Sequence, residues 1–326
     1  MTFAAIFLSL ALAANQPAGA QPVTLQPVVV SGVRPGPGLW KVSSGGHVLW
    51  ILGTVSPVPS KMEWYSPRSE AVLRQAKEIL GTPRAGAYVG WSSAFKVAFA
   101  MPAILRARQL PDGKSLQDVL PSDLHARWLV LKAKYLGADK DIERWRPMFA
   151  ADRLYTAALK SAGLQSGTGT GKRISKLAGE YHLKQTSNTI SRQITDPRGL
   201  AKSFAKADIN EVACFRSVLD RLEADVAHAA QRANAWAIGD VAELTRLVLR
   251  DHRDPCLEAI QGTEAAHAMG LRDAPSLAKK KWLNSASAAL AANDVSFATL
   301  PMNELLDADG LLANLRAKGY EILVPE

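Results

Sequence analysis

Hydrophobic and polar positions at both ends of the chain follow the patterns of β-strands. Residues 39–42 and 47–54 are mostly apolar and flank a Ser-Ser-Gly-Gly turn, which predicts a β-hairpin. The second of these strands is apolar on both faces, so we predict that it lies at the centre of a sheet. Near the other end, residues 310–317 predict a short helix and residues 320–324 predict a last strand.

Between these strands the apolar positions recur at helical spacing. Residues 66–80 place Val72, Leu73, Ala76, Ile79 and Leu80 on one stripe, which predicts a helix with a proline in its first turn. Helical patterns continue to about residue 290. Strands at both ends with helices between them predict an α/β or α+β fold, formed as one domain over residues 39–326.

The first twenty residues have the pattern of a signal peptide. They contain an apolar run from Phe3 to Ala13 and small residues at Ala18 and Ala20, which predicts cleavage after Ala20. No Lys or Arg precedes the run, as would be usual, and an upstream start codon would supply one. Residues 21–38, rich in Pro and Gly, predict an extended leader. We therefore expect a periplasmic or secreted protein without an integral membrane segment after signal removal.

The two cysteines fit an exported protein. Cys214 and Cys256 stand at the edges of a predicted helix pair, one helix over residues 210–231 and a second that includes Trp236 and Leu247. Antiparallel packing of the pair would bring the thiols together, and a disulfide would close a loop of about 43 residues and contribute about 4 kcal/mol. The alternative is two buried free thiols. No cysteine spacing indicates a zinc finger.

The net charge indicates an affinity for anionic surroundings without naming a partner. The chain has 39 Lys and Arg against 30 Asp and Glu, a formal net charge of +9. The cations are spread over the whole length and no aromatic residues interleave with them. A nucleic acid partner is therefore not expected, because single-strand binding needs a stacking platform beside the basic groove.

Three other segments each allow two interpretations. Residues 167–172 imitate a phosphate-binding loop, but Ser166 and Arg173 do not fit that motif, which favours a flexible loop between helices. Residues 144–147, Arg-Trp-Arg-Pro, either stack on a planar ligand or anchor a helix end. The apolar residues 91–101 either line a ligand groove or form a buried strand or helix over the sheet.

Three separated blocks of sequence resemble the TraB/GumN family, whose relatives include the Wnt-cleaving TIKI ectodomains and, more distantly, erythromycin-esterase and ChaN-like proteins. The blocks are GLWKVSSGGHVLWILGTVSPVP, AWAIGD and DGLLANLRAKGYEILVPE, at residues 38–59, 235–240 and 309–326. The resemblance covers the chain from residue 39 to its end. It implies a mixed sheet of N- and C-terminal strands, wrapped by helices, with a divalent-metal or hydrolytic site at the strand ends.

At that site the chain departs from the family pattern in three places. The family signature Gly-Thr-Ile/Val-His is Gly-Thr-Val-Ser here, so Ser56 replaces an imidazole. An acidic residue is expected where Thr82 stands, after the strand that follows the first helix. A second histidine is expected six residues before a Gly-Leu pair, where this chain has Glu304. The resemblance therefore implies that Ser56, Thr82 and Glu304 are the vestigial site residues.

These replacements lower the expectation of catalysis. A hydrolytic metal site needs about three His, Asp or Glu ligands, so one carboxylate with two hydroxyls predicts no cofactor beyond a weakly held divalent cation. We expect a non-catalytic module of the Gram-negative envelope with an unknown protein or peptide partner. Two enzymatic alternatives stay open: a metal-dependent, peptidase-like hydrolase that uses Glu304 with other carboxylates, and Ser56 paired with one of the six histidines.

Overall fold

The architecture is α/β, with a mixed six-stranded sheet and a large helical middle. A computed structural model describes residues 36–62, 66–166, 169–207, 209–247 and 255–325. The predicted signal peptide, residues 1–20, and nearly all of the predicted leader lie outside the described residues. Within the described part of the chain, no helix is long and apolar enough to cross a bilayer.

The strands of the described residues are short except for the central two. They are β1 (Leu39–Ser44), β2 (His47–Thr54), β3 (Val58–Pro59), β4 (Glu78–Leu80), β5 (Arg84–Tyr88), β6 (Leu164–Gln165), β7 (Lys184–Thr186), β8 (Thr189–Gln193), β9 (Val295–Pro301) and β10 (Glu321–Leu323).

The helices of the described residues vary from one turn to nearly eight turns. They are α1 (Pro67–Gln75), α2 (Trp91–Ala107), α3 (Leu116–Val119), α4 (Ser122–Tyr135), α5 (Pro147–Ser161), α6 (Gly169–Glu180), α7 (Pro197–Lys206), α8 (Glu211–Ile238), α9 (Val241–Leu247), α10 (Pro255–Gln261), α11 (Glu264–Ala268), α12 (Ala274–Ala292), α13 (Met302–Leu306) and α14 (Leu311–Ala317).

The main sheet joins strands from both ends of the chain in the order β10-β1-β2-β9-β4-β7. β1 is antiparallel to β2 and to β10, whereas β2, β9, β4 and β7 run parallel to one another. The predicted hairpin, the central position of its second strand and the last strand are thus confirmed. Two smaller pairs, β3 with β6 and β5 with β8, lie outside the main sheet.

The sheet core depends on the two central parallel strands. In β2 the side chains of Leu49, Ile51 and Leu52 are fully buried, and in β9 those of Phe297 and Leu300 are fully buried. Strands covered on both faces need continuous apolar runs, which both sequences supply. A second buried cluster, centred on the contact between Trp128 and Phe215, lies among α4, α5 and α8. The two larger buried clusters of the described residues are therefore a sheet core and a helical core.

The predicted helix over residues 66–80 is too long. Ser66 caps the start of α1 by accepting the Ser69 N–H at 3.1 Å, as its sequence suggests. However, α1 ends at Gln75, and Ile79 and Leu80 belong to β4, where they pair with β9 and β7. Burial of both apolar side chains in the sheet outweighs the local helical pattern.

The helix pair predicted between the cysteines is also divided in the wrong place. α8 continues past residue 231 to Ile238, and Gly239 ends it with a φ of 77°, a left-handed conformation that glycine adopts without strain. Trp236 therefore lies in the first helix rather than the second. Its burial against the sheet explains why the helix continues.

The predicted pairing of the cysteines is confirmed. The sulfur atoms of Cys214, on α8, and Cys256, on α10, lie 2.08 Å apart, which is a disulfide distance. Cys214 is fully buried in the helical core. The bond therefore ties α10 to the middle of the helical region across a sequence separation of 42 residues.

The buried carboxylate of Glu78 links the amino-terminal end of β4 to neighbouring elements. Glu78 accepts hydrogen bonds from the Thr186 hydroxyl and from Asn293 Nδ2, the latter at 3.1 Å, and its Oε1 lies 3.0 Å from Lys184 Nζ. Burial opposes ionisation of Glu78, but the hydrogen bonds from Thr186, Lys184 and Asn293 outweigh it, so the pKa of this carboxyl lies below its ordinary value of 4.5. The ionised form joins β4, β7 and the end of α12.

We predict that Glu78→Gln lowers the free energy of unfolding at neutral pH by about 1–3 kcal/mol, because bonds to a buried charge are lost. The folded pKa is depressed, so the contribution is complete above the unfolded pKa and disappears as the pH falls through the folded value. Urea unfolding at neutral pH and at about pH 3 should therefore show a smaller acid loss in the variant than in the wild type. Glu258→Gln, at an exposed glutamate, is the control, and equal acid losses in all three proteins would refute the role of Glu78.

Candidate functional site

The three positions expected from sequence meet at one edge of the sheet. β2, β9 and β4 are adjacent and parallel, so their carboxyl ends lie side by side. Ser56 follows the end of β2, Thr82 follows the end of β4, and Glu304 lies on α13, directly after β9. In open parallel sheets this edge is where ligands bind.

Thr82 uses its hydroxyl to close the end of the sheet. Its Oγ1 donates to the carbonyl oxygen of Thr299 at 3.0 Å and lies 3.3 Å from the Thr299 hydroxyl. The neighbouring Gly81 carbonyl accepts from Asn188 Nδ2 at 2.9 Å, and Asn188 Oδ1 accepts from the Ser285 hydroxyl at 2.8 Å. A polar network therefore occupies the place where an acidic ligand was expected.

The Glu304 carboxylate contacts a lysine side chain and a backbone N–H in the first turn of α14. Its Oε1 lies 2.7 Å from Lys279 Nζ of α12, and its Oε2 accepts the Leu311 N–H at 3.3 Å. Its side chain is only 12% exposed. Glu304 therefore meets the Gly-Leu pair of the family pattern directly, as a capping carboxylate for the first turn of α14.

Ser56 lies on the loop after β2, and its side chain is exposed. The strand before it is fixed by Trp236, whose indole N–H donates to the Gly53 carbonyl at 2.7 Å. α13 covers the same glycine so closely that a Cβ there would lie 2.5 Å from Met302 Cε. The AWAIGD block and the Gly-Thr block of the sequence are therefore in direct contact.

A buried ion pair lies beneath this loop, and sequence reasoning missed it. Arg232 of α8 contacts Asp225 at 2.9 Å and donates to the Pro57 carbonyl at 3.4 Å, and both charged side chains are buried. The Tyr155 hydroxyl donates to Asp225 at 2.6 Å, and burial together with this carboxylate raises the pKa of Tyr155. The sequence does carry a signal for this ion pair: Asp225 and Arg232 have opposite charges and lie seven positions apart, on the apolar face of a helix.

The residues present do not fit the divalent metal that the resemblance implies. Among the described residues, no group of three His, Cys, Asp or Glu side chains is arranged to hold a metal ion. Thr82 is bonded to the backbone of β9, and Lys279 neutralises Glu304. A hydrolytic metal needs about three negatively charged or imidazole ligands with one open position, and this edge supplies one paired carboxylate.

The structure also locates the other segments singled out from sequence. Arg108 covers the Trp145 ring at 3.7 Å, and Arg146 forms a buried ion pair with Glu211, so residues 144–147 anchor the start of α5. In the glycine-rich segment, residues 169–172 form the first turn of α6 rather than a loop, and residues 167–168 lie outside the described residues. Residues 91–101 belong to α2, and the side chains at 91 and 95–101 are mostly exposed rather than buried.

We predict that Gly310→Ala destabilises this edge of the sheet. A Cβ at Gly310 would lie 2.5 Å from the backbone oxygen of Glu304, so α13 and α14 would have to separate, at a cost of about 1–3 kcal/mol. Gly179→Ala is the matched control, because a Cβ there meets open space within α6 and should stabilise by about 0.4–1 kcal/mol. The measurement is the free energy of unfolding in urea. Equal stability of the two variants would contradict the close packing at Gly310.

Sequence comparison assigns the chain to a family. The model of the TraB/PrgY/gumN family matches residues 38–323, which include every strand of the main sheet and all three positions at its carboxyl edge. No significant match was found among curated proteins or among solved structures. Since the match covers most of the 326 residues, this chain belongs to the TraB/PrgY/gumN family.

Proposed function

We propose that this member of the family is an exported, non-catalytic protein of the Gram-negative envelope. In this proposal the carboxyl edge of the sheet keeps the shape of a hydrolase site without its metal. The protein acts there as a binding or envelope-maintenance module for a protein or peptide. The main support for the proposal is the bonding of Glu304. It is the one carboxylate among the three positions, and it is already paired with Lys279 and bonded to the start of α14.

The hydroxyl at Thr82 supports the same conclusion. It donates to the Thr299 carbonyl and so is committed to the backbone of the neighbouring strand β9. Loss of one ligand can be compensated by a neighbouring carboxylate. Replacement of two imidazoles and one carboxylate, with the remaining groups used to satisfy the backbone, is better explained by a relaxed demand for chemistry.

A groove beside this edge supports a binding role. It has a volume of about 590 Å³ and lies between β8 and α12, with Ile190, Arg192, Leu277 and Lys281 in its lining. Ser285 also lines it and connects it, through Asn188, to Gly81 at the end of β4. Apolar walls with basic side chains suit a peptide segment that carries an acidic group.

Export is supported by two independent features of the chain. The apolar run from Phe3 to Ala13, followed by Ala18 and Ala20, has the pattern of a signal peptide cleaved after Ala20. The disulfide-distance pair Cys214 and Cys256 suits an oxidising compartment, because disulfides persist mainly outside the cytosol. Residues 21–38 would then be a leader before the domain.

We predict that Ser56→Ala and Glu304→Gln leave both fold and cellular role nearly unchanged, since an exposed hydroxyl and a partly exposed ion pair contribute less than about 1 kcal/mol. The contrasting variant is Trp40→Ala, which should cost about 3–5 kcal/mol because this side chain is fully buried. Trp50 of the same hairpin is less suitable, because it is only partly buried and faces Arg68. Urea unfolding, complementation of a deletion strain and elemental analysis after dialysis are the measurements.

The alternative function gives a distinct result in the same experiments. A metal-dependent, peptidase-like hydrolase would retain stoichiometric Mn²⁺, Co²⁺ or Zn²⁺ through dialysis. Its peptidase or esterase activity would disappear in Glu304→Gln. That combination would overturn the non-catalytic proposal, whereas wild-type protein without bound metal and with unchanged complementation by Glu304→Gln would support it.

We also predict that the protein isolated from its native host begins at Gln21 and contains no free thiol. Edman sequencing of the periplasmic fraction tests the cleavage, and thiol titration of the denatured, unreduced protein tests the bond between Cys214 and Cys256. The reduced protein is the control and should give two thiols per chain. Intact Met1 in the cytoplasmic fraction, or two thiols without reduction, would refute the export proposal.

A further inference from the structure

The longest exposed apolar surface of the described residues lies along α2. Trp91, Phe95 and Phe99 follow one another at intervals of one helical turn and are 97%, 62% and 75% exposed. Met101 and Leu105 extend the same face and are also exposed. The opposite face of the helix, which contacts the protein, carries the buried Ala100. α2 thus turns its aromatic side chains outward and buries Ala100 and Ala107, the reverse of an ordinary surface helix.

The apolar surface continues into the chain before the helix. Tyr88, at the end of β5, and Val89 are also exposed, at 51% and 37%. Single exposed apolar side chains are normal on proteins, but a contiguous run of aromatic and aliphatic residues over more than four helical turns marks an interaction site. Among the described residues, no helix is apolar enough to span a bilayer, so this surface suits contact with an interface rather than insertion across it.

The helix packed beside α2 supplies positive charge. α2 lies against α7, and Lys96 of α2 donates to the Thr195 carbonyl just before α7 at 3.2 Å. Arg198, Lys202 and Lys206 are spaced one turn apart on α7, and all three are exposed. An aromatic stripe and a basic stripe therefore occur on neighbouring helices.

The two sequence segments that contain β5, α2, β8 and α7 carry charge of almost one sign. Residues 84–108 and 189–207 contain eight cationic side chains and one carboxylate, Asp196. Asp196 caps α7 by accepting the Gly199 N–H at 2.9 Å. The cations are Arg84, Lys96, Arg106, Arg108, Arg192, Arg198, Lys202 and Lys206.

We propose that α2, together with the basic residues of α7, docks this protein on an anionic phospholipid membrane. The term "α2 surface" denotes the exposed residues Trp91, Phe95, Phe99, Met101 and Leu105. Tryptophan and phenylalanine side chains gain free energy at the boundary between headgroups and acyl chains, and nearby Lys and Arg are attracted to anionic headgroups. A second copy of the chain is disfavoured as the occupant, because two such surfaces would bring the exposed cations Arg198, Lys202 and Lys206 of one α7 near the same cations of the other.

The experiment is sedimentation with vesicles of pure phosphatidylcholine and with vesicles of equal parts phosphatidylcholine and phosphatidylglycerol. It uses the full chain and the chain beginning at Gln21, which keeps every described residue, and variants are compared within each form. We expect binding to the anionic vesicles only. Trp91→Ser with Phe95→Ser should weaken it about tenfold or more, and Lys202→Gln with Lys206→Gln about fivefold per charge removed.

Matched controls distinguish binding through the α2 surface from nonspecific binding through exposed apolar residues or cations elsewhere on the protein. Leu129→Ser with Val130→Ser changes exposed apolar residues on α4, and Lys160→Gln with Lys318→Gln removes two exposed cations elsewhere. Both controls should bind like the wild type, and thermal unfolding should show that all variants are folded. Absence of binding, equal binding to neutral vesicles, or equal losses in the controls would overturn the proposal. So would a concentration-dependent dimer, measured by light scattering, that the aromatic variant abolishes while vesicle binding persists.

Discussion

Parallel pairing of β2 with β9 is the contact on which the rest of the structure depends. It joins positions as distant as Thr54 and Leu300, which are 246 residues apart and share a hydrogen bond. Closing so long a loop is entropically costly, and the cost is offset by two strands that are apolar on both faces and buried in the sheet. The other strands of the main sheet extend it on both sides of this pair, with β1 and β10 beyond β2 and with β4 and β7 beyond β9. The long helical segment between the two strands must fold back around them.

The same pairing creates backbone groups at the carboxyl edge that need hydrogen-bond partners. Parallel strands that end together leave carbonyl groups that need donors, and this chain supplies them from side chains. The Thr54 hydroxyl donates to the Leu300 carbonyl and the Thr82 hydroxyl to the Thr299 carbonyl. On the other side of the edge, Glu304 accepts the free N–H of Leu311 at the start of a helix. At this edge the side chains of Thr54, Thr82 and Glu304 thus satisfy backbone groups.

The sequence was sufficient for elements that local pattern defines and insufficient for those that depend on distant partners. The β1-β2 hairpin and α14 have turn and cap residues beside a regular pattern, so both were predicted closely. β9 was not predicted as a separate strand, because a short apolar run buried on both faces has no periodicity to distinguish it from a helix. The meeting of Ser56, Thr82 and Glu304 at one edge was implied by family resemblance. Their hydrogen-bond partners depend on packing that one sequence does not reveal.

The scaffold of the edge is built from contacts that are independent of any metal ligand. Trp236 holds the end of β2 through the Gly53 carbonyl, and Arg232 reaches the Pro57 carbonyl while paired with Asp225. None of these side chains belongs to the three edge positions Ser56, Thr82 and Glu304. α8 thus fixes the loop after β2 through the carbonyls of Gly53 and Pro57, on either side of position 56. The backbone at this edge is therefore held by residues other than the three edge positions, so the scaffold and the edge side chains are separate parts of the structure.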